Sequence, residues 1–287
     1  MILPLVNDSF TCADAPTGTF FCDDFETTAP LSDRYFESST TNFLPADGVG
    51  RGGSRGLRAV FDVGTVGAGS IKKSFGRTPS SYIGNHAVNP TQDYDEIYWR
   101  IDVRTQPGWQ GGGGSKLSRA TTLAASDWSQ GMIAHLWSDG PSGRLTMDPA
   151  SGIDTNGNLV TTGYNDFPNL RWLGNKTGDL DLFSTANSGT WFCIEAHIKL
   201  NTPGSNDGIF EFWIDEVFQK GSYDLNWHDT WNSDPENLKI NAIFIENYWN
   251  SGSPVAQERY MDNFIISTSP IGCGAASSDL IFANQFE

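Results

Sequence analysis

The chain has 287 residues, with 34 acidic and 18 basic side chains and a formal net charge of −16 at pH 7. Aromatic residues at 13% and charged residues at 18% are typical of a folded chain and exclude a disordered or collagen-like protein. An acidic chain repels phosphate backbones, so we expect no nucleic-acid partner. The sequence has no apolar run of about 18 residues, which excludes a membrane-spanning helix.

Strand patterns dominate the predicted secondary structure. The segment 97–104 places Ile97, Trp99, Ile101 and Val103 on one face and polar side chains on the other, which is the period-two pattern of a strand with one buried face. In chain order, the candidate strands are 18–26, 56–63, 97–104, 115–123, 131–138, 142–148, 191–200, 209–218, 240–249 and 259–268. Turn clusters separate them, and no stretch shows a capped amphipathic helix.

Many strands without helices predict an all-β fold, a two-sheet antiparallel jelly roll. We expect one domain over residues 1–273 and a C-terminal tail over 274–287, because no linker is long enough to separate two cores. The segments expected to supply much of one concave sheet are 97–104, 115–123, 131–138 and 240–249.

Four cysteines and no Cys-x-x-Cys pair favour disulfides over a thiolate zinc site. Of the three pairings that four cysteines allow, we predict Cys12–Cys22, which closes a short loop, and Cys193–Cys273, which ties the tail to a strand. This cysteine usage fits an oxidising compartment, so we expect a secreted, extracellular protein. The opening Met-Ile-Leu-Pro-Leu-Val is too short for a signal peptide, and we expect the mature form of the chain.

Three segments resemble concanavalin A-like polysaccharide lyases, namely the alginate lyases of algal viruses and molluscs and the fungal glucuronan lyases. The first segment is Ile198-Lys-Leu-Asn-Thr-Pro-Gly-Ser-Asn-Asp-Gly208, followed by Phe212-Trp-Ile-Asp215. The second is Gly113-Gly-Ser-Lys-Leu117, which is similar to a lysine-bearing strand of those enzymes. The third joins Tyr248-Trp-Asn250 with Tyr260-Met-Asp-Asn-Phe264 near the end of the domain. The resemblance implies their jelly-roll fold and a carbohydrate-active function.

The resemblance fails at several expected catalytic positions. Where the lyases carry a Ser and an Arg that face the cleft, the matching register puts Met132 and Ala134 in this chain, and Thr146 and Asp148 replace their catalytic tyrosines. In that register His135 points away from the cleft, and a one-residue slip would reverse it.

Polysaccharide lyases remove the proton beside a uronate carboxylate and expel the 4-linked oxygen, which requires a cation, a base and an acid. Lys116 matches the lysine of the resemblance and is the candidate cation or base, while His135 and Tyr248 complete the predicted catalytic set. The predicted substrate-binding residues, which supply carboxylate clamps, aromatic stacking and amides, are Tyr98, Arg100, Arg119, Trp137 and Asn247.

The resemblance also implies a structural Ca²⁺ that joins the first and last strands. Its predicted ligands are Asp24, Glu26 and Asp262, since hard carboxylate oxygens from distant strands suit calcium. We expect no organic cofactor.

Two alternatives to a lyase stay open. Ten tryptophans favour a non-catalytic carbohydrate-binding module, and a hydrolase would draw a carboxylate pair from separate strands, such as Glu195, Glu211 or Glu246. In each case the expected partner is a polysaccharide or oligosaccharide, with no membrane partner and a monomeric protein.

Overall fold

A computed structural model describes residues 10–140, 142–227 and 238–274, apart from the side chains of residues 115, 139 and 140. The tail from residue 275 onward therefore lies outside the described residues, and the domain boundary expected near residue 273 stays a prediction. None of the helical segments in the described part of the chain is long and apolar enough to cross a membrane.

The described residues form sixteen strands and only short 3-10 helical turns. The strands are β1 (Thr19–Asp23), β2 (Glu37–Ser39), β3 (Phe43–Ala46), β4 (Gly56–Phe61), β5 (Gly67–Ser74), β6 (Glu96–Thr105), β7 (Gly114–Leu123), β8 (Gln130–Gly140), β9 (Thr146–Ser151), β10 (Arg171–Trp172), β11 (Lys176–Thr177), β12 (Trp191–Lys199), β13 (Gly208–Ile214), β14 (Val217–Leu225), β15 (Ala242–Tyr248) and β16 (Gln257–Ser267).

Two antiparallel sheets of eight strands each contain all of these strands. Sheet I has the order β14-β13-β12-β6-β16-β4-β3, with β1 paired to β16. Sheet II has the order β10-β9-β8-β7-β15-β5-β2, with β11 paired to β9. The predicted all-β jelly roll is confirmed.

The two sheets enclose one large apolar core. The alternating apolar residues of β6, among them Trp99 and Ile101, lie in it beside Ile194 and Ala196 of β12, as their period predicts. Sheet II contributes Met132 and Ala134 of β8 from the opposite side. The side chains on the opposite side of sheet II point away from this core, and we call that side the outer face of sheet II.

One sheet assignment from the sequence is wrong. The segments 115–123, 131–138 and 240–249 belong to sheet II as expected, but 97–104 forms β6 in the middle of sheet I, between β12 and β16. Period-two alternation identifies a strand and its buried face but does not say which of two packed sheets the strand joins.

Both predicted disulfides are confirmed. Cys12 is bonded to Cys22, and Cys193 of β12 is bonded to Cys273. The segment before Cys273 covers the outer side of sheet I, where the Glu195 carboxylate accepts the backbone N–H groups of Ile271 and Gly272 at 2.7 and 2.8 Å. The bonds fit an oxidising, extracellular setting.

The two disulfides should contribute unequally to stability. Cys193 and Cys273 are 80 residues apart and Cys12 and Cys22 only 10, so the first bond restricts the unfolded chain more. We expect the Cys193→Ser/Cys273→Ser variant to lose about 2 kcal/mol more unfolding free energy than Cys12→Ser/Cys22→Ser, by the loop-length dependence of chain entropy. Urea unfolding of both variants measures the difference, and an equal or reversed loss would contradict it.

Candidate functional site

The outer face of sheet II carries an open pocket of about 220 Å³. Its lining includes Lys116 of β7, Glu246 and Tyr248 of β15, Ser70 of β5 and Tyr164 from the connection between β9 and β10. Charged, phenolic and hydroxyl groups thus converge on one concavity, which is the usual arrangement of a ligand-binding site.

An irregularity in the pairing of β7 with β15 brings two of these side chains together. The regular register breaks after Ile245, and Tyr248 then lies opposite Lys116. The Lys116 Nζ atom is 4.7 Å from the centre of the Tyr248 ring and 5.6 Å from that of Phe167. Tyr248 is 39% exposed, so its ring borders the pocket while the lysine lies behind it.

Arg259 of β16, in sheet I, stabilises this irregular stretch through hydrogen bonds from the core side of sheet II. Its buried guanidinium donates to the carbonyl oxygens of Lys116, Gly113 and Glu246 at 3.1–3.2 Å and to Asn247 Oδ1 at 2.8 Å. Burial lowers the pKa of Arg259 to about 9, which still leaves it charged at neutral pH. One side chain of sheet I therefore satisfies the backbone acceptors that the broken register leaves unpaired.

Arg119 lies three residues further along β7, and both terminal nitrogens of its guanidinium are hydrogen-bonded. Its guanidinium donates to Glu246 Oε1 at 2.7 Å, to Asn165 Oδ1 at 2.6 Å and to the hydroxyl of Tyr164. The Tyr164 hydroxyl in turn donates to Glu246 Oε1 at 2.9 Å. Burial raises the pKa of Glu246, but the charges of Arg119 and Lys116 outweigh it and hold that pKa below its usual value.

Lys72 of β5 is the second paired cation of this face. It forms an ion pair with Glu37 of β2, and its Nζ atom lies 4.8 Å from the Trp128 ring centre and 5.5 Å from those of Tyr164 and Phe244. Both Arg119 and Lys72 are thus neutralised by carboxylates of the protein itself.

Lys116 differs from these two cations. It is 8% exposed, and no hydrogen bond or ion pair joins its Nζ atom to any residue in the described part of the chain. Burial lowers the pKa of Lys116 to about 8, although the charge of Glu246 opposes the shift. A lysine that is desolvated, uncompensated and open to a pocket is a typical feature of a site that receives an anion.

The register of β8 is the reverse of the one expected. Met132 and Ala134 lie in the core between the sheets, and His135 lies on the outer face of sheet II opposite Arg119. The expectation that Met132 and Ala134 face the cleft is wrong, because the two apolar side chains gain more from burial between the sheets than on the outer face.

His135 is nevertheless covered. Its ring stacks on Trp137 with 4.1 Å between ring centres and lies 5.9 Å from Trp172, and the residue is 1% exposed. Burial and the charge of Arg119 lower the pKa of His135 well below its usual range, so the ring is neutral. Across from it on β9, burial raises the pKa of Asp148 to about 6.

The other predicted binding residues divide between the two sheets. Arg119 and Trp137 lie on the outer face of sheet II, and Asn247 of β15 lines the pocket while its Oδ1 atom accepts from Arg259. Tyr98 and Arg100 lie on β6 in sheet I and are not part of this site. Tyr98 stacks on His197, and the fully buried Arg100 donates to Asp102.

The sequence patterns missed Lys72, Tyr164 and Asn165. Lys72 is on a strand with only weak alternation, Gly67–Ser74, and the other two are in a long irregular connection. Asn165 has a positive φ of 58°, a conformation that Asn adopts more readily than most residues, and a Gly-Tyr-Asn run in a loop is only a weak sequence signal for it.

The carboxylates named for a hydrolase do not come together. Glu246 lines the pocket, but Glu195 and Glu211 are on β12 and β13 of sheet I. Glu195 binds the segment before Cys273, and Glu211 accepts from His197 and Tyr223.

The predicted calcium ligands Asp262 and Asp24 accept hydrogen bonds within the protein. Asp262 accepts from the N–H groups of Arg51 and Asn263 and from the Ser54 hydroxyl, while Asp24 accepts from the N–H of Cys12. Within residues 10–140, 142–227 and 238–274 no three His, Cys, Asp or Glu side chains are grouped as metal ligands. Calcium near Asp24, Glu26 and Asp262 stays a prediction from the resemblance.

No protein-family model and no curated protein sequence matches the chain. Solved structures do match its fold. An endo-β-1,4-glucuronan lyase from the fungus Trichoderma reesei is 15% identical, with a TM-score of 0.56 over 88% of this chain and 96% of that one. A marine alginate lyase from Aplysia kurodai is 13% identical, with a TM-score of 0.54 over 88% and 99%. An alginate lyase from Chlorella virus is 15% identical, with a TM-score of 0.52 over 81% and 91%.

These likenesses define the class of fold. The chain has a divergent form of the jelly roll that alginate lyases and a glucuronan lyase share. At 13–15% identity they establish the architecture alone.

Arg259 should be the most sensitive polar residue of the site's framework. We expect Arg259→Met to lose about 3–5 kcal/mol of unfolding free energy, because it leaves several buried carbonyl groups without a donor. Arg58→Met on the adjacent β4 is the control, since the Arg58 side chain is 45% exposed and should change stability by less than about 0.5 kcal/mol. Equal losses in the two variants would contradict the role of Arg259.

The predicted calcium site is tested by removing the ion with a chelator. If the resemblance holds, a chelator lowers the melting temperature, because an ion that binds only the folded state stabilises it. Elemental analysis of the purified protein then finds bound calcium. An unchanged melting temperature without bound calcium would reject the site.

Proposed function

We propose that this chain is a secreted polysaccharide lyase that cleaves a uronate-containing polysaccharide by β-elimination in the pocket on sheet II. The observation that carries the proposal is Lys116, a buried ammonium group without an ion pair in the described residues, which borders the pocket beside Tyr248. The lyase-like fold supports the same class of substrate.

Lys116 supplies the positive charge that the reaction needs. Loss of the C5 proton moves negative charge onto the uronate carboxylate, and a cation held in a desolvated site stabilises that charge more strongly than water does. Because Arg119 and Lys72 are already paired with Glu246 and Glu37, the substrate carboxylate binds to Lys116.

Tyr248 is the proton-transfer group in this proposal. Its phenolate oxygen takes the C5 proton, the C5–H electron pair forms the C4–C5 double bond, and the bond from C4 to the glycosidic oxygen breaks. The departing oxygen then takes a proton from the Tyr248 hydroxyl, so the protons balance and no other reactant is consumed. His135 has no part in these steps, because its ring is covered by Trp137 and Trp172.

A non-catalytic carbohydrate-binding protein is the second candidate. The observation that favours it is a pair of exposed aromatic side chains on this face, Tyr82 at 56% and Trp172 at 42% exposed, which offer stacking surfaces for sugar rings. Binding of a glycan without any cleavage product would select this candidate.

Lyase activity is tested on alginate, glucuronan, hyaluronan, deacylated gellan and a neutral glucan, with both the absorbance of unsaturated uronides and reducing ends followed. We expect unsaturated products from at least one acidic polymer. New reducing ends without that absorbance would instead indicate a hydrolase, and no product from any polymer would contradict enzymatic activity on this class.

Substitutions of Lys116 separate a charge role from a base role. We expect Lys116→Met to lower kcat/KM by about 10²–10³-fold, the range seen when one charge-stabilising group is removed. Lys116→Arg should keep a measurable part of the activity, because it keeps the positive charge but has no accessible neutral form. Lys199→Ala, an exposed lysine of sheet I, is the matched control and should leave kcat/KM unchanged. Loss of all activity in Lys116→Arg would point to a lysine base instead.

The same lysine should weaken the fold. Folding lowers the pKa of Lys116 to about 8, so the charged form is penalised in the native state. This penalty is largest below pH 8, and it fades as the pH rises towards the higher pKa that the lysine has in the unfolded chain. We therefore expect Lys116→Met to raise the melting temperature at pH 6 and to raise it less at pH 10. A melting temperature that falls at pH 6 would show that Lys116 stabilises the protein.

A further inference from the structure

The cations of the outer face of sheet II are unequally available to a ligand. Arg119 is 0% exposed and is held by Glu246, Asn165 and Tyr164. Lys72 is held by Glu37. Among the described residues that line or adjoin the pocket, this leaves Lys116 as the cation without a carboxylate partner.

The surroundings of Lys116 do not favour a second anion. The Glu246 carboxylate lines the same pocket, and Glu37 lies on β2 at the edge of sheet II and is one-third exposed at its side chain. Both carboxylates are already paired with Arg119 and Lys72. A carboxylate on the sugar next to the one held by Lys116 therefore finds no unpaired cation among the described lining residues to compensate for its lost hydration, which opposes its binding.

Uncharged surfaces flank the pocket on both sides. Trp172 lies on β10, three strands from Lys116 on β7, and packs on Trp137 with 6.1 Å between ring centres. Tyr82 lies towards the opposite edge, where its hydroxyl donates to Glu37 of β2 at 3.1 Å and its ring lies 6.3 Å from that of Trp128. Strands are about 4.8 Å apart, which places the backbones of β10 and β2 roughly 14 Å from that of β7. The Phe167 ring lies 5.6 Å from the Lys116 Nζ atom and 6.0 Å from the Trp172 ring, so Trp172, like Tyr82 near β2, contacts another sugar than the one at the lysine.

We propose that the polysaccharide bound here carries isolated carboxylates, each uronate being separated from the next by uncharged sugars, and that a polymer with a carboxylate on every sugar binds poorly. Lys116 pairs with one uronate, and Trp172 and Tyr82 stack on neutral rings to either side. The formal net charge of −16 also disfavours a polymer with a carboxylate on every sugar, because it repels a densely charged polyanion at long range. This inference rests on the pocket assigned in the proposed function and narrows its substrate class.

Binding is measured with the full chain carrying Tyr248→Phe, in which proton transfer is blocked, so that affinity is read independently of cleavage. The probes are hexasaccharides of hyaluronan, in which uronates alternate with uncharged sugars, of alginate and glucuronan, in which every sugar is a uronate, and of carboxyl-reduced hyaluronan. Isothermal titration at several salt concentrations gives Kd and its salt dependence.

We expect the hyaluronan hexasaccharide to bind at least about tenfold more tightly than the alginate and glucuronan hexasaccharides and than its own carboxyl-reduced form. A factor of about ten is the affinity that one charge-assisted contact contributes. The logarithm of Kd should change with the logarithm of salt concentration with a slope near one, as for a single ion pair. Trp172→Ala and Tyr82→Ala should each weaken binding about three- to tenfold, and Lys199→Ala should not change it.

Tighter binding of alginate or glucuronan, equal binding of the carboxyl-reduced probe, or no binding of any probe would overturn the inference. Its failure is distinguishable from that of the lyase assignment. If the probes bind in the expected order of affinity but the unsubstituted protein cleaves none of them, the lyase assignment is contradicted and the inference about the substrate still holds. Preferred cleavage of a homopolyuronate supports the lyase and contradicts the inference.

Discussion

A buried guanidinium group, that of Arg259, is the interaction on which the site depends. It extends from β16 of sheet I into the gap where β7 and β15 of sheet II lose their regular register, and donates to the carbonyl groups of Lys116 and Glu246. A β-sheet with unbroken pairing would satisfy these carbonyls by itself, but it would not place Tyr248 opposite Lys116. The core between the sheets and the chemistry of the outer face are therefore linked through one side chain.

The electrostatics of the pocket follow from how its charges are paired. Arg119 with Glu246 and Lys72 with Glu37 form ion pairs within the protein, whose charges need no ligand. Lys116 lacks such a partner in the described structure and remains desolvated, which lowers its pKa to about 8 and disfavours the native state. In the proposed function an incoming carboxylate removes this penalty, so the feature that weakens the fold would also provide affinity for an anion.

The sequence was sufficient to predict the architecture, and it named Lys116 as a candidate, but it did not predict every residue around the pocket. Alternation in 97–104 and 191–200 identified buried faces, and the cysteine spacing identified both disulfides. Alternation does not assign a strand to one of two sheets, so β6 with Tyr98 and Arg100 was placed in the wrong sheet. A one-residue change in register likewise moved His135 to the opposite face, and the contacts of Tyr164 and Asn165 depend on an irregular connection without any periodic signal.

The central claim is that Lys116 is an uncompensated ammonium group that receives a uronate carboxylate. The most direct measurement is the NMR titration of the lysine ammonium groups with and without a uronate oligosaccharide, with the Lys116 signal assigned by its loss in Lys116→Arg. Lys73 is an internal control, since burial also lowers its pKa to about 8, but its Nζ atom donates to the carbonyls of Arg34 and His86. We predict a Lys116 midpoint near pH 8 that rises on addition of the oligosaccharide while that of Lys73 stays constant. A Lys116 midpoint that does not move with the ligand would contradict the claim.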